Sequence, residues 1–245
     1  MARHLASPIA SLHALALVTA ALFSSAPALA APLDIQLGFA SLPSAQGFTY
    51  SAVGAHAGVA EATVFSVSGG VLTQNTIGQS NGITGGSIFY QITGIVTTTE
   101  AKQIRVRARV LQSQGSANDV NGLAGLFFGF NTGAVQYGFG LTPTRVAYLG
   151  GGVMVLVAGT FDNSTLFHDY VFDWTPPNSW QIRRDGVLIQ SGTTGFAFAS
   201  SRLMFGDGSG GANAHAEITA YRFLQGVPTT STEPTTWGSV KGLYR

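Results

Sequence analysis

The 245-residue chain has no cysteine, and Lys, Arg, Asp and Glu together make up only 9% of it. The missing cysteine excludes disulfide staples, thiol catalysis and cysteine-ligated zinc at once. The charge is balanced as well as sparse. Setting aside Arg3, which belongs to an N-terminal segment described below, the chain carries eleven Lys or Arg and eleven Asp or Glu. Such a chain offers no electrostatic footprint for nucleic acid or for an anionic membrane. Glutamate is the scarcest acid, with only Glu61, Glu100, Glu217 and Glu233. No transmembrane segment is expected in the mature chain, because nothing beyond the first thirty residues has the length and continuous apolarity of a span. No long amphipathic helical stripe is visible either.

What remains is rich in glycine, 32 residues of 245, and glycine, serine and asparagine punctuate short β-branched or aromatic runs throughout. That is the pattern of strands and turns. Residues 1–30 read as a secretory signal: a positive start at Arg3 and His4, an apolar run from Leu12 to Phe23 too short to cross a bilayer, and a small-x-small site at Ala28-Leu29-Ala30,. Export places the mature protein outside the cell or at its surface. Residues 31–226 read as one all-β domain, large enough for a core without covalent staples. From 227 to 245 the composition changes to a Thr/Pro linker and a short tail with Trp237, Val240 and Leu243, either a sorting signal or a frayed end.

The strongest local signal is Asp185-Gly186, set between Trp180–Arg184 and Val187–Gln190. A type I′ turn needs positive φ at both central residues, and Asp-Gly supplies it. A two-residue loop sets Arg184 opposite Val187, Arg183 opposite Leu188, Ile182 opposite Ile189 and Gln181 opposite Gln190. Trp180, Ile182, Val187 and Ile189 then face the core, whereas Gln181, Arg183 and Gln190 face outward. Lys102–Leu111 alternates as cleanly: Ile104, Val106, Ala108 and Val110 on one face, Arg105, Arg107 and Arg109 on the other. The arginine row is either a solvated sheet face or the wall of a polar groove. Further strands are expected at Ala62–Ser68, Gly70–Asn75, Ser87–Ile92, Gly122–Asn131, Val135–Leu141, Gly195–Ala199 and Ala214–Leu224. Another hairpin should turn at Gly150–Gly152.

The order His168, an aromatic strand closing on Trp174-Thr175-Pro176, a short turn, a second aromatic strand and Asp185-Gly186-Val187-Leu188-Ile189 resembles the concanavalin A-like superfamily of laminin G-like domains, legume-type lectins and laminarinase-type glucanases. The resemblance runs loosely from Ala40 to Phe223. It implies a jelly-roll sandwich of two antiparallel sheets in a bacterial secreted protein. For activity it implies little, because this fold carries lectins, adhesins and hydrolases alike.

Several constellations bear on chemistry. Glucanases of the superfamily carry Glu-x-Asp-x-x-Glu, since retaining hydrolysis needs two carboxyls about 5 Å apart. None of the four glutamates lies in such a motif, which argues against hydrolysis. Gly206, Gly208 and Gly211 match Gly-x-Gly-x-x-Gly, but a strand follows where a dinucleotide site needs a helix. The same loop resembles the Gly-Asp-Ser-Gly-Gly of trypsin-like proteases, yet Gly208 separates Asp207 from Ser209 and no triad surrounds it. Asp207 and Asn213, with Ser209 and Glu217 nearby, are oxygen donors of the kind calcium takes, and the resemblance implies that lectins of this fold often bind it. A plain glycine turn is the alternative. His168, without a second histidine nearby, reads as structural. Sugar recognition needs polar side chains beside apolar ring faces. Trp180 and Tyr137 alternate toward the core, leaving Arg107, Asn131, Gln136, Gln181 and Arg183 as the candidate glycan-binding set. The expectation is a secreted, non-catalytic carbohydrate-binding or adhesive domain whose partner is a polysaccharide or glycan. The alternatives are a matrix component without a specific ligand and a divergent polysaccharide hydrolase.

Overall fold

A computed structural model describes residues 32–54, 56–79, 86–114, 125–208 and 212–226. The expected signal (1–30) and the linker and tail (227–245) lie outside the described residues, as does Ser209. The described strands are β1 (Leu33–Leu37), β2 (Thr49–Gly54), β3 (Phe65–Ser68), β4 (Val71–Asn75), β5 (Gly86–Thr93), β6 (Lys102–Gln114), β7 (Leu126–Thr132) and β8 (Val135–Leu141). They continue as β9 (Val146–Gly150), β10 (Val153–Leu156), β11 (His168–Thr175), β12 (Ser179–Arg184), β13 (Val187–Gly192), β14 (Phe196–Ala197), β15 (Ser201–Asp207) and β16 (Asn213–Gln225).

Two eight-stranded sheets result. Sheet A runs β13-β12-β11-β6-β16-β4-β3, with β1 also on β16; sheet B runs β10-β9-β8-β7-β15-β5-β2, with β14 also on β8. Every pairing is antiparallel. Sequential hairpins build the ends of each sheet, while β11-β6-β16-β4 and β7-β15-β5 bring together distant parts of the chain, the signature of a jelly-roll sandwich.

The alternation read from β6 is the sandwich's inner face: Ile104, Val106, Ala108 and Val110 are wholly buried. They meet Phe128, Phe130, Phe139, Leu203 and Phe205 from sheet B in one core. Aromatic rings fill it, as in the stack of Phe139 on Phe172 with centroids 6.0 Å apart. Packing of this kind adds a modest orientational term to the burial of apolar area.

At one end of this core, Lys102 is fully buried. Its ammonium lies 4.4 Å from the Trp174 ring centre and donates to Glu100 O at 2.6 Å. Burial pulls its pKa down to about 8, with the Glu100 charge opposing the fall. A base with a folded pKa below its unfolded value of about 10.4 costs stability wherever it is protonated in both states. Stability should therefore rise by about 2 kcal/mol between pH 7.5 and 9.5 as Lys102 sheds its proton in the native state first. The buried Tyr90 and Tyr221 hydroxyls, pushed up by desolvation, set the opposite trend above about pH 10, where unfolded tyrosines ionise. Urea midpoints across this range test the rise, which Lys102→Met should abolish.

The hairpin turn is as the sequence predicts, with Asp185 at φ 51° and Gly186 at φ 81°. Asp185 also draws the strand before it into place. Its carboxylate accepts from the Asp169 N–H at 3.0 Å and lies 2.7 Å from His168 Nδ1, so His168 serves the turn. Nothing lies within 4 Å of a Cβ added at Gly186, which isolates the backbone cost of a side chain there. Gly186→Val should lose about 1–3 kcal/mol by denaturation. Gly186→Asn, which tolerates the left-handed region, should lose much less.

Four expectations need correction. Only Arg184–Val187 and Arg183–Leu188 pair as read; a bulge then sets Ile182 opposite Gln190 and Gln181 opposite Ser191. With one extra residue in β13, Ile189 has no cross-strand partner. Val187 is also exposed at the hairpin tip and not in the core. Ala62–Val64 belong to a one-turn helix α1 (Glu61–Val64) before β3, not to a strand. Gly195–Ala199 shrinks to the two-residue β14, because Gln136 and Val135 of β8 offer it only two partners.

Candidate functional site

The outer face of sheet A is a lattice of charge and amide groups. The outward residues of β6 meet those of β11 and β16: Arg107 pairs with Asp169 at 3.1 Å and Arg109 with Glu217 at 2.7 Å. Arg222 of β16 grips Asp34 of β1 at 2.7 Å. Within the arginine row, Arg107 and Arg109 are thus ion-paired on a part-exposed face, and Arg105 donates to Gln103. Exposed pairs of this kind each contribute little to stability.

One row of this lattice ends at a cavity. Across β6, β11 and β12, Gln103 Nε2 donates to Asp173 at 2.5 Å, Arg183 Nη1 donates to the other Asp173 oxygen, and Arg183 Nη2 donates to Gln181 at 2.6 Å. Period-two alternation sets these side chains on the outer face while Phe172 and Trp180 point inward. Beside Asp173, Gln181 and Arg183 lies a cleft of about 460 Å³, walled further by Thr175, Ser179, Ser191 and Thr193. Trp180 also borders it but is only 3% exposed, its Nε1 donating to Thr194 O at 2.8 Å. The cleft presents hydroxyls, an amide, a carboxylate and a guanidinium held in fixed geometry, with almost no open ring face.

The structure divides the candidate glycan-binding set. Gln181 and Arg183 line the cleft, and Arg107 sits on the same face, tied to Asp169. Asn131 and Gln136 face one another across β7 and β8 on the opposite sheet. Both are buried there. Asn131 is fully buried, and its amide oxygen accepts from Arg202 Nε at 3.0 Å and from Ser200 Oγ at 3.3 Å,. Gln136 is 8% exposed and donates to Met204 Sδ at 3.6 Å. Asp173, Thr175 and the β13 hydroxyls were missed by sequence reasoning. The register of the hairpin beyond its bulge is what gathers them.

Of the calcium set, Asp207 and Asn213 come together, while Glu217 pairs with Arg109. Asp207 and Asn213 are fully buried and bonded to each other, Asn213 Nδ2 donating to Asp207 at 2.8 Å. The Asn213 amide thus offers Asp207 a donor, and Glu217 is held by Arg109. Calcium takes roughly six to eight oxygens. Among the described residues no group of three or more His, Asp or Glu gathers that could hold a metal ion.

Carboxylates elsewhere are similarly engaged. Asp34 is held below the usual carboxylate range by its hydrogen bond from Arg222. Asp162 is lowered further by hydrogen bonds from the Ser164 and Thr165 N–H and hydroxyl groups. Glu100 accepts from Thr97 at 3.0 Å and Glu61 from Ser44 at 3.0 Å.

No protein-family model matches the chain, and no curated protein resembles it in sequence. Solved structures do resemble it in fold. The binding domain of botulinum neurotoxin serotype G is 12% identical, with 85% of this chain and 50% of that one covered and a TM-score of 0.46. An endo-1,3-beta-glucanase from Streptomyces sioyaensis is 12% identical over 83% of this chain and 100% of that one, with a TM-score of 0.48. An apo Crh5 transglycosylase is 14% identical over 83% and 88%, with a TM-score of 0.49. The chain spans about half the length of the toxin domain. Likenesses at these identities and TM-scores carry nothing about activity.

Proposed function

We propose that this chain is a secreted, non-catalytic carbohydrate-binding or adhesive domain, and that the cleft beside Asp173, Gln181 and Arg183 is where a glycan docks. The observation that carries the reading is the row Gln103–Asp173–Arg183–Gln181, which spends its hydrogen bonds on holding two polar side chains at the rim of a cavity ringed by hydroxyls. Sugar hydroxyls both donate and accept, and such a rim offers partners of both kinds. Export through the first thirty residues would bring the domain to extracellular polysaccharide.

Two features favour binding over cleavage. Hydrolysis asks one carboxyl to keep its proton near neutral pH and a second to stand about 5 Å away. Here Asp173 is the one carboxylate lining the cleft, and it is paired with Arg183. Trp180 is almost wholly buried beside the cleft, so affinity per sugar should be weak, about millimolar, and adhesion should depend on repeated contacts.

A glycan array on the mature protein, followed by calorimetry with the best oligosaccharide, tests the reading. Binding should fall at least tenfold in Gln181→Ala and Arg183→Ala, with the fold retained. Binding unaffected by either variant would place the glycan elsewhere, and an empty array would favour a matrix component. Reducing-sugar release from laminarin, lichenan or pooled polysaccharides would overturn the non-catalytic reading.

A further inference from the structure

The outer face of sheet B carries the opposite chemistry to that of sheet A. Gly129 and Gly138 face each other across β7 and β8. A Cβ on either would lie 2.6 or 2.5 Å from the Phe127 ring. The two glycines therefore form a bare patch of backbone on which that ring lies flat. Around it Phe89, Ala147, Met154 and Met204 make a second apolar cluster, separate from the core. Phe89, Phe127, Met154 and Met204, with Phe196 and Phe198, wall a groove of about 260 Å³.

One charged residue lines this groove, and it is Arg202. Its guanidinium lies 5.3 Å from the Phe89 ring centre and 4.6 Å from that of Phe198. Asn131 accepts from its Nε, fixing the plane of the fork. Among the described residues no carboxylate pairs with Arg202, although Arg107, Arg109, Arg183, Arg184 and Arg222 all have one. Burial lowers its pKa, the sign of a cation only partly repaid by its aromatic neighbours. A guanidinium set against two rings, on a residue that lines a groove, is suited to bidentate recognition of an oxyanion,.

We infer that this groove is a binding site for a small amphipathic carboxylate, its acid group forked by Arg202 and its apolar body laid on Phe127, Met154 and Met204. The site is on the other sheet from the proposed glycan cleft and does not depend on it. The apolar floor alone would take any greasy molecule; the unpaired guanidinium selects the anion.

Calorimetry with sodium octanoate and with 1-octanol, at neutral pH and on the mature protein, tests this. Octanoate should bind saturably at one site and at least tenfold more tightly than octanol. R202Q should bring octanoate down to the level of octanol while leaving the melting temperature within a degree or two. R202K, which keeps the charge and loses the fork, should fall between. Met154 and Met204 are two of the chain's three methionines, so their methyl resonances should move on titration even if a variant fails to fold. Equal affinity for octanol, octanoate binding indifferent to R202Q, or unmoved methionine methyls would each overturn the inference. So would a dimer of the ligand-free protein that R202Q dissociates, because a second copy would then be the occupant.

Discussion

Trp180→Ala is expected to remove about 3–5 kcal/mol of folding free energy, the range for truncating a large aromatic side chain in a core. The indole is 3% exposed, stacks on Phe172 at 5.9 Å and lies 4.8 Å from Tyr148 of the other sheet. It therefore joins the hairpin edge of sheet A to β9 of sheet B. Its Nε1 also satisfies Thr194 O, an acceptor that truncation would strand. The strand opposite is shaped to it: a Cβ on Gly192 would lie 2.4 Å from the Trp180 ring. Gly192→Ala should consequently be destabilising in the wild-type protein and close to harmless in the Trp180→Ala background, where the ring is gone. A double-mutant cycle by urea denaturation measures that coupling. Additive costs would show that the indole does not rest on Gly192.

Gly138→Val is the second large effect, with an expected loss of about 3 kcal/mol or more. A Cβ there would lie 2.4 Å from Phe128 O and 2.5 Å from the Phe127 ring. The ring could swing aside, but the carbonyl is held in the β7–β8 ladder, so the strands themselves must part. Phe127→Ala should accordingly rescue only a minor share of the loss. Gly38→Ala serves as the control, since nothing lies within 4 Å of its added Cβ, and should change stability by less than about 0.5 kcal/mol. Thermal melts of the four proteins decide it. Equal midpoints for Gly138→Val and Gly38→Ala would mean that β7 and β8 do not meet at these glycines.

The same residues mark how far the sequence can be read. The Asp185-Gly186 turn and the alternation of β6 were legible because each rests on a local rule: positive φ in one case, period two in the other. Sandwich architecture followed from the family resemblance around those strands. The bulge at Ile189 was not legible, since an unbulged hairpin and a bulged one share the same alternation over so few residues. Nor was the sheet B groove. In β7, Phe127 and Phe128 both read as core, and a strand apolar on both faces looks the same whether its outer face is covered or open. Arg202 gave no signal because its partners come from β5, β7 and the segment after β14. Asn131 and Gln136 sit on outward positions, as alternation predicts, yet larger neighbours bury them; periodicity gives direction and not depth.

The place of β16 carries a consequence for how the molecule comes to be made. It is the last described strand of the chain, yet it lies inside sheet A, hydrogen-bonded to β6 on one side and to β4 and β1 on the other. The Asp34–Arg222 pair closes a loop of 188 residues. While the chain is being synthesised, β1, β4 and β6 all wait beside a gap, and sheet A cannot close from its N-terminal portion alone. Domains dominated by such distant pairings reach the native state slowly, in milliseconds to seconds for small examples. Sheet A of the unfinished polypeptide therefore stays open, its edges at β1, β4 and β6 unpaired, until β16 has been made.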